Sequence, residues 1–192
     1  AGTALLAGIP AVALRDAGIG RLTILHTNDT HSRIDPYPAN DPNYPGMGGY
    51  ARRAALINRI REKNTDVILL DAGDIFQGTP YYNLYGGEPE LRLMTKMGYD
   101  ASAFGNNEFD NGLEGFKNVM PHAGFPFLAA NYDFSQTILA GKIRDNVIIR
   151  RGGIKTGIYG LGIKPEGLVG RDLYGDTIFI DPLETARQQE EI

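Results

Sequence analysis

The chain has 192 residues, 42% hydrophobic and 22% charged, which suits one globular domain with a core of its own. A net charge of −4 and the lack of any Lys/Arg-rich run argue against a nucleic-acid polymer as partner, and no apolar run approaches the roughly 20 residues of a membrane span. There is no cysteine, which excludes disulfides and thiolate chemistry, and with only His26, His31 and His122 present, histidine chemistry must be concentrated or absent.

Residues 1–14 are small, apolar and uncharged, and Ala11-Val12-Ala13 fits the small-x-small pattern before a signal cleavage site. Residues 1–19 are expected to be the remnant of an export signal and a linker, placing the protein outside the cytoplasm, in the periplasm. The domain is expected over residues 20–192. Its first strand is predicted at Arg21–Thr27, buried, with His26 inside it as a core or supporting histidine. Residues 35–49 carry Pro36, Pro38, Pro42 and Pro45, then Gly46, Gly48 and Gly49, which predicts a long loop. Residues 50–64 place Ala51, Ala54, Ala55, Ile57 and Ile60 among charged neighbours, an amphipathic helix. A second buried strand follows at Asp66–Asp71.

A helix is predicted over residues 88–97, with Leu91, Leu93, Met94 and Met97 inward and Gly98 as its stop. Ala101–Phe104 reads as a short strand, residues 112–123 as a helix ending near His122, and Phe125–Ala130 as a strand. Asn146–Arg150 and Lys155–Ile163 read as antiparallel strands around Gly152-Gly153, and Pro182 opens a last helix. Alternating strands and helices predict a layered α/β fold.

Polar residues recur just after the predicted strands: Asp29 and His31, then Asp74, Asn106 and Asn131. Open α/β sheets bind ligands at the carboxyl ends of their strands, so these residues are expected on one rim. Asp29 and His31, two apart, can turn a carboxylate and an imidazole toward one divalent ion, although a lone pair of this kind also arises as a turn with a surface histidine. Asp74 lies between flexible glycines, Gly73 and Gly78, where a carboxylate can bridge two cations or bond its own turn. In Gly105-Asn106-Asn107-Glu108 an Asn oxygen is a credible ligand for a hard cation, and Asn-Asn is also a common turn. Asn28 and Glu108 are read as supporting residues. Tyr81, Tyr82 and Tyr85 could meet substrate, with core packing the commoner use.

Together, Asp29-Thr30-His31, Gly73-Asp74 with Gly78, and Gly105-Asn106-Asn107-Glu108 resemble the three successive motifs of the calcineurin-like metallophosphoesterase superfamily. The longer strings LTILHTNDTHSR, LLDAGDIFQGTP and GNNEFDNG resemble its 5'-nucleotidase family over about residues 20 to 190. The resemblance implies a layered β-sandwich core flanked by helices, incomplete at its C-terminus here. It implies two divalent metal ions, with Mn, Zn or Fe suited to the mixed donors and Mg or Ca as alternatives. Asp29 and His31 would hold the first ion, Asp74 both, and Asn106 the second. The implied reaction is hydrolysis of nucleotides or related phosphate esters by a metal-bound hydroxide, with Asn131 lining the substrate. A nucleotide-binding C-terminal domain would be separate or missing.

Two departures qualify the expectation. Asn107 stands at the catalytic position where the family has His; it can donate a hydrogen bond but cannot deliver a proton. The later motifs with further metal-binding histidines, including G-H-x-H, do not occur in the chain. The alternative reading is a degenerate, catalytically weak metal- or ligand-binding relative.

Overall fold

Four parallel strands carry the loops on which the polar residues sit. β1 (Thr23–Thr27), β2 (Val67–Asp71), β3 (Ala101–Ala103) and β4 (Phe127–Leu128) lie side by side in chain order in the computed structural model, which describes residues 21–191. The expected export remnant at residues 1–19 lies outside the described residues. Thr27 pairs with Asp71, Asp71 with Ser102, and Ser102 with Phe127, so the strand ends form one rim.

Each parallel step needs a crossover, and helices supply it. α1 (Tyr50–Arg61) joins β1 to β2, α2 (Pro80–Tyr85) and α3 (Glu88–Met97) join β2 to β3, and α4 (Gly112–Val119) joins β3 to β4. Strands that are neighbours in both sheet and chain, linked by right-handed crossovers, put these helices on one face. That face is the core: Leu69, Phe104 and Phe127 meet Ile57, Leu91, Met94 and Phe116, with Leu25 packed against them. Phe104 is the hub of the aromatic packing, with ring centroids 4.7 Å from Phe116 and 4.8 Å from Phe109.

The remainder adds two small antiparallel sheets. β5 (Tyr132–Asp133) pairs with β8 (Ile178–Phe179), and β6 (Asn146–Arg151) turns at Gly152-Gly153 into β7 (Ile154–Tyr159). α5 (Arg171–Tyr174) and α6 (Pro182–Glu190) complete the order. The carboxylate of Asp181 caps α6 by accepting from the backbone N–H groups of Leu183 and Glu184, both at 2.9 Å. The mixed α/β layering is as the sequence predicts, and no helix of the described residues is long and apolar enough to cross a membrane.

Three expectations change in detail. β1 is an edge strand rather than a buried one: its alternate residues Ile24 and His26 face away from the helices and are exposed, so His26 is not a core histidine. The helix predicted over 112–123 tightens at Met120–His122 into a 3-10 turn, where Pro121 has no N–H to give the ladder. α2 is an addition; Pro80 in its first turn and Gly86 at φ 62 just past its end are its local signals.

Candidate metal centre

The rim is built by two loops that continue the strand ladder beyond the strands. Ala72 N–H donates to Thr27 O at 2.8 Å, Asp29 N–H to Gly73 O at 3.0 Å, His31 N–H to Asp74 O at 3.2 Å and Ser32 N–H to Ile75 O at 2.7 Å. The loop after β1 and the loop after β2 therefore run paired, and Asp29 and His31 stay beside Asp74. The backbone accepts strain to do this. Asp29, His31, Ser32, Asp74 and Gln77 all have φ between 43° and 68°, a left-handed region that costs a non-glycine residue roughly 1–2 kcal/mol. Such strain persists only where the surroundings fix it, and it collects at functional sites.

One ligand atom each from Asp29, His31 and Asp74 lies within 4.8 Å of the others. His31 Nε2 is 3.8 Å from Asp29 Oδ1. His31 Nδ1 is 3.2 Å from the carbonyl oxygen of Phe76. A carbonyl can only accept, so Nδ1 carries the proton and Nε2 presents its lone pair to the cluster. Gly78 makes this approach achievable: a methyl group there would lie 3.0 Å from His31 O and 3.1 Å from His31 Cβ, at φ 105. The donor set of two carboxylates and a neutral imidazole suits a divalent transition ion.

The third loop locks against the second through Glu108. This carboxylate is buried, and it accepts from Asp74 N–H at 3.0 Å, Ile75 N–H at 2.8 Å and Gly105 N–H at 2.6 Å. Burial pushes its pKa up to about 8, the Ile75 N–H works against that push, and the charge of Asp74 adds to it. Asn107 N–H donates to Asp74 Oδ1 at 3.0 Å. A methyl group on Gly105 would lie 2.3 Å from Asp74 Oδ1, so only glycine allows this contact. Asn106 Nδ2 donates to Asn107 Oδ1 at 2.7 Å; its amide oxygen, the metal-binding atom of an Asn, remains for a ligand.

Asn107 in turn donates from Nδ2 to Asp110 Oδ2 at 3.1 Å. Burial raises the Asp110 pKa, while the Asn107 bond opposes the rise. Sequence reasoning passed over Asp110, and the signal was there: in the 3-10 turn Asn107–Phe109, residues three apart eclipse. Asp71 lies under both loops. It accepts from Thr27 Oγ1 at 2.5 Å, Gly73 N–H at 2.9 Å and Ser102 Oγ at 3.3 Å, and burial pushes its pKa up to about 6.

The other candidates have partners of their own. Asn131 is fully buried just after β4, and its amide both accepts from Gly162 N–H at 2.8 Å and donates to Gly162 O at 2.9 Å. His122 is at the end of the 3-10 turn with Nε2 3.5 Å from Glu88. Tyr82 is buried and stacked on Phe76 at 5.4 Å, Tyr81 donates to Asp35 at 2.7 Å, and Tyr85 is exposed.

The profile of the family described as calcineurin-like phosphoesterase matches residues 22–183. The chain is 43% identical to a snake venom 5'-nucleotidase of Crotalus adamanteus over 155 residues, 77% of this chain and 26% of that protein. Its fold is similar to the 5'-nucleotidase precursor of Thermus thermophilus, with a TM-score of 0.78 and 36% identity over 87% of this chain and 33% of that one. It is also similar to the NAD nucleotidase of Haemophilus influenzae, with a TM-score of 0.74 and 30% identity over 89% of this chain and 32% of that one. The chain thus spans about a quarter to a third of the length of these relatives.

Proposed function

The chain belongs to the calcineurin-like phosphoesterase family, and on that premise we propose that it is the N-terminal portion, residues 20–192, of the catalytic domain of an exported, periplasmic 5'-nucleotidase-type phosphohydrolase. The observation that carries the reading is the convergence of Asp29, His31 and Asp74 within 4.8 Å at adjoining strand ends. The family uses divalent metals, and the mixed carboxylate, imidazole and amide donors favour Mn, Zn or Fe. Asp29 and His31 would hold one ion, Asp74 would be shared, and Asn106 would contribute to a second. When bound, such ions polarise a phosphoryl oxygen and lower the pKa of water toward neutrality.

The chain's own groups do the rest. Glu108 holds the Asp74 backbone by accepting from its N–H, and the peptide N–H of Asn107 donates to the Asp74 carboxylate. Asn107 presents an amide N–H to the substrate and holds no proton to give. Loss of a positioned acid commonly costs about 10²–10⁴ in rate, so the enzyme is slow. The substrate class is a nucleotide or a related phosphate ester, as in the activity that the relatives' names carry. Asn107 is also the main support for a degenerate binding relative.

Phosphate release from AMP by the whole protein in Mn²⁺ separates the two. The enzyme reading predicts slow release, raised about 10²-fold or more by Asn107→His. If neither protein releases phosphate while both bind Mn²⁺, the enzyme reading fails.

A further inference from the structure

Asp71 is the last residue of β2, in register with Thr27 at the end of β1 and with Ser102 in β3. An aspartate at a strand end ordinarily accepts from a peptide N–H two residues on and faces water. Asp71 makes that bond, to Gly73 N–H at 2.9 Å, but it is buried. Taking a carboxylate out of water is costly unless hydrogen bonds replace the water. Here the neighbouring strands supply them. Thr27 Oγ1 donates to Asp71 Oδ2 at 2.5 Å, and Ser102 Oγ donates to Asp71 Oδ1 at 3.3 Å. One carboxylate thus bonds to all three strands that lead into the rim loops.

The bond on the β1 side has its own backing. Thr27 gives its single hydroxyl hydrogen to Asp71, so the Tyr99 hydroxyl, 2.8 Å from Thr27 Oγ1, is the donor in that pair. Tyr99 is buried just after α3, and its oxygen accepts from Arg53 Nη1 on α1 at 3.5 Å. The donors point in one direction, from Arg53 through Tyr99 and Thr27 to Asp71.

The other side of the carboxylate reaches the cluster through Gly73, which precedes Asp74 directly. Its N–H goes to Asp71, and its carbonyl accepts from Asp29 N–H at 3.0 Å. Gly73 has φ 94, and a methyl group there would lie 2.7 Å from Gly105 N, so the loop after β3 also meets the second loop at this turn.

We propose that Asp71 is a positioning residue for the metal centre: its carboxylate, bonded to the ends of β1 and β3 and to the Gly73 turn, sets Asp29 and Asp74 at the separation in which they share an ion with His31. The inference rests on the reading of those three residues as a metal centre. It assigns a task to a carboxyl group that lies beneath the cluster and is not one of its ligands.

The test is Mn²⁺ affinity of the whole protein by calorimetry, with the melting temperature of the metal-free protein measured beside it, for wild type, Asp71→Ala, Asp71→Asn, Thr27→Val and Met94→Ala. Groups that orient metal ligands typically cost 10–100-fold in affinity when removed, so Asp71→Ala and Thr27→Val are expected to weaken Mn²⁺ about tenfold or more. Asp71→Asn keeps an oxygen for Gly73 and Ser102 and can donate to Thr27 Oγ1, whose own hydrogen then turns to Tyr99; it is expected to stay within about threefold. Met94 lies in the core under the helices, so Met94→Ala is expected to melt at a lower temperature and to keep its affinity within about threefold. A loss below about threefold in folded Asp71→Ala, or an equal loss in Asp71→Asn, overturns the proposal. So does an equal loss in Met94→Ala, which would trace the effect to stability alone. Should Asp71→Ala not fold, unchanged affinity in Thr27→Val overturns it. A wild-type protein that binds no Mn²⁺ overturns this inference together with the metal centre itself, whereas wild-type binding that the variants leave intact overturns only this inference.

Discussion

At the scale of the residue, four carboxyl groups near the rim differ because their surroundings differ. Asp29 and Asp74 stand at the cluster. Glu108 is locked under it by three peptide N–H groups. Asp71 is buried beneath, its pKa pushed up to about 6 by burial against the pull of Thr27 and Gly73. A carboxyl whose folded pKa lies above its unfolded value binds a proton more readily in the fold. Its contribution to stability is therefore complete below the unfolded pKa near 3.8 and is lost as pH rises through about 6. A shift of that size is on the order of 2–3 kcal/mol. Asp71→Asn keeps most of the hydrogen-bonding capacity and removes the titration, so its metal-free melting temperature is expected to fall less between pH 4 and pH 7 than that of wild type. Parallel pH profiles for the two proteins would refute this. Asn107 belongs to the same scale: its identity was plain in the sequence, but its partner Asp110 became visible only with the 3-10 turn that stacks them.

At the scale of the element, the site is a contact between loops. The loops after β1 and β2 run paired through four peptide hydrogen bonds, and the loop after β3 closes on them through Glu108. Glycine sets the spacing. A side chain on Gly105 would collide with Asp74 Oδ1 at 2.3 Å, with Asp74 N at 2.5 Å and with Glu108 Oε2 at 2.7 Å, and no flexible tip is there to yield. Gly105→Ala is accordingly expected to lose at least about 2 kcal/mol of stability by overpacking and to bind Mn²⁺ more weakly. Chemical denaturation checks the first part and calorimetry the second. An alanine variant equal to wild type in both would show that the loops are not in this contact. Strand ends, turn glycines and helix stops were legible in the sequence because each is a local signal: Gly98 ends α3 at φ 72, and Pro182 opens α6 behind Asp181. Glu108 was legible as a supporting residue but not as the lock between two loops, because that role depends on which loop folds against which. His26 was misplaced for a related reason: alternation marks a strand but not whether a second layer covers its outer face, and β1 lies at the sheet edge.

At the scale of the whole molecule, one core serves one rim. The helices pack on one face of the parallel sheet, Phe104 gathers the aromatic rings at its centre, and the strands deliver their ends side by side. The family profile covers residues 22–183, which include the three loops, and the chain spans about a quarter to a third of the relatives' length. Asp29, His31 and Asp74 are proposed to form a divalent metal centre at that rim. Anomalous diffraction from crystals grown in Mn²⁺ tests it most directly. A Mn²⁺ peak is expected roughly 2.0–2.4 Å from Asp29, His31 Nε2 and Asp74. Saturating Mn²⁺ with no peak among these three residues would contradict it.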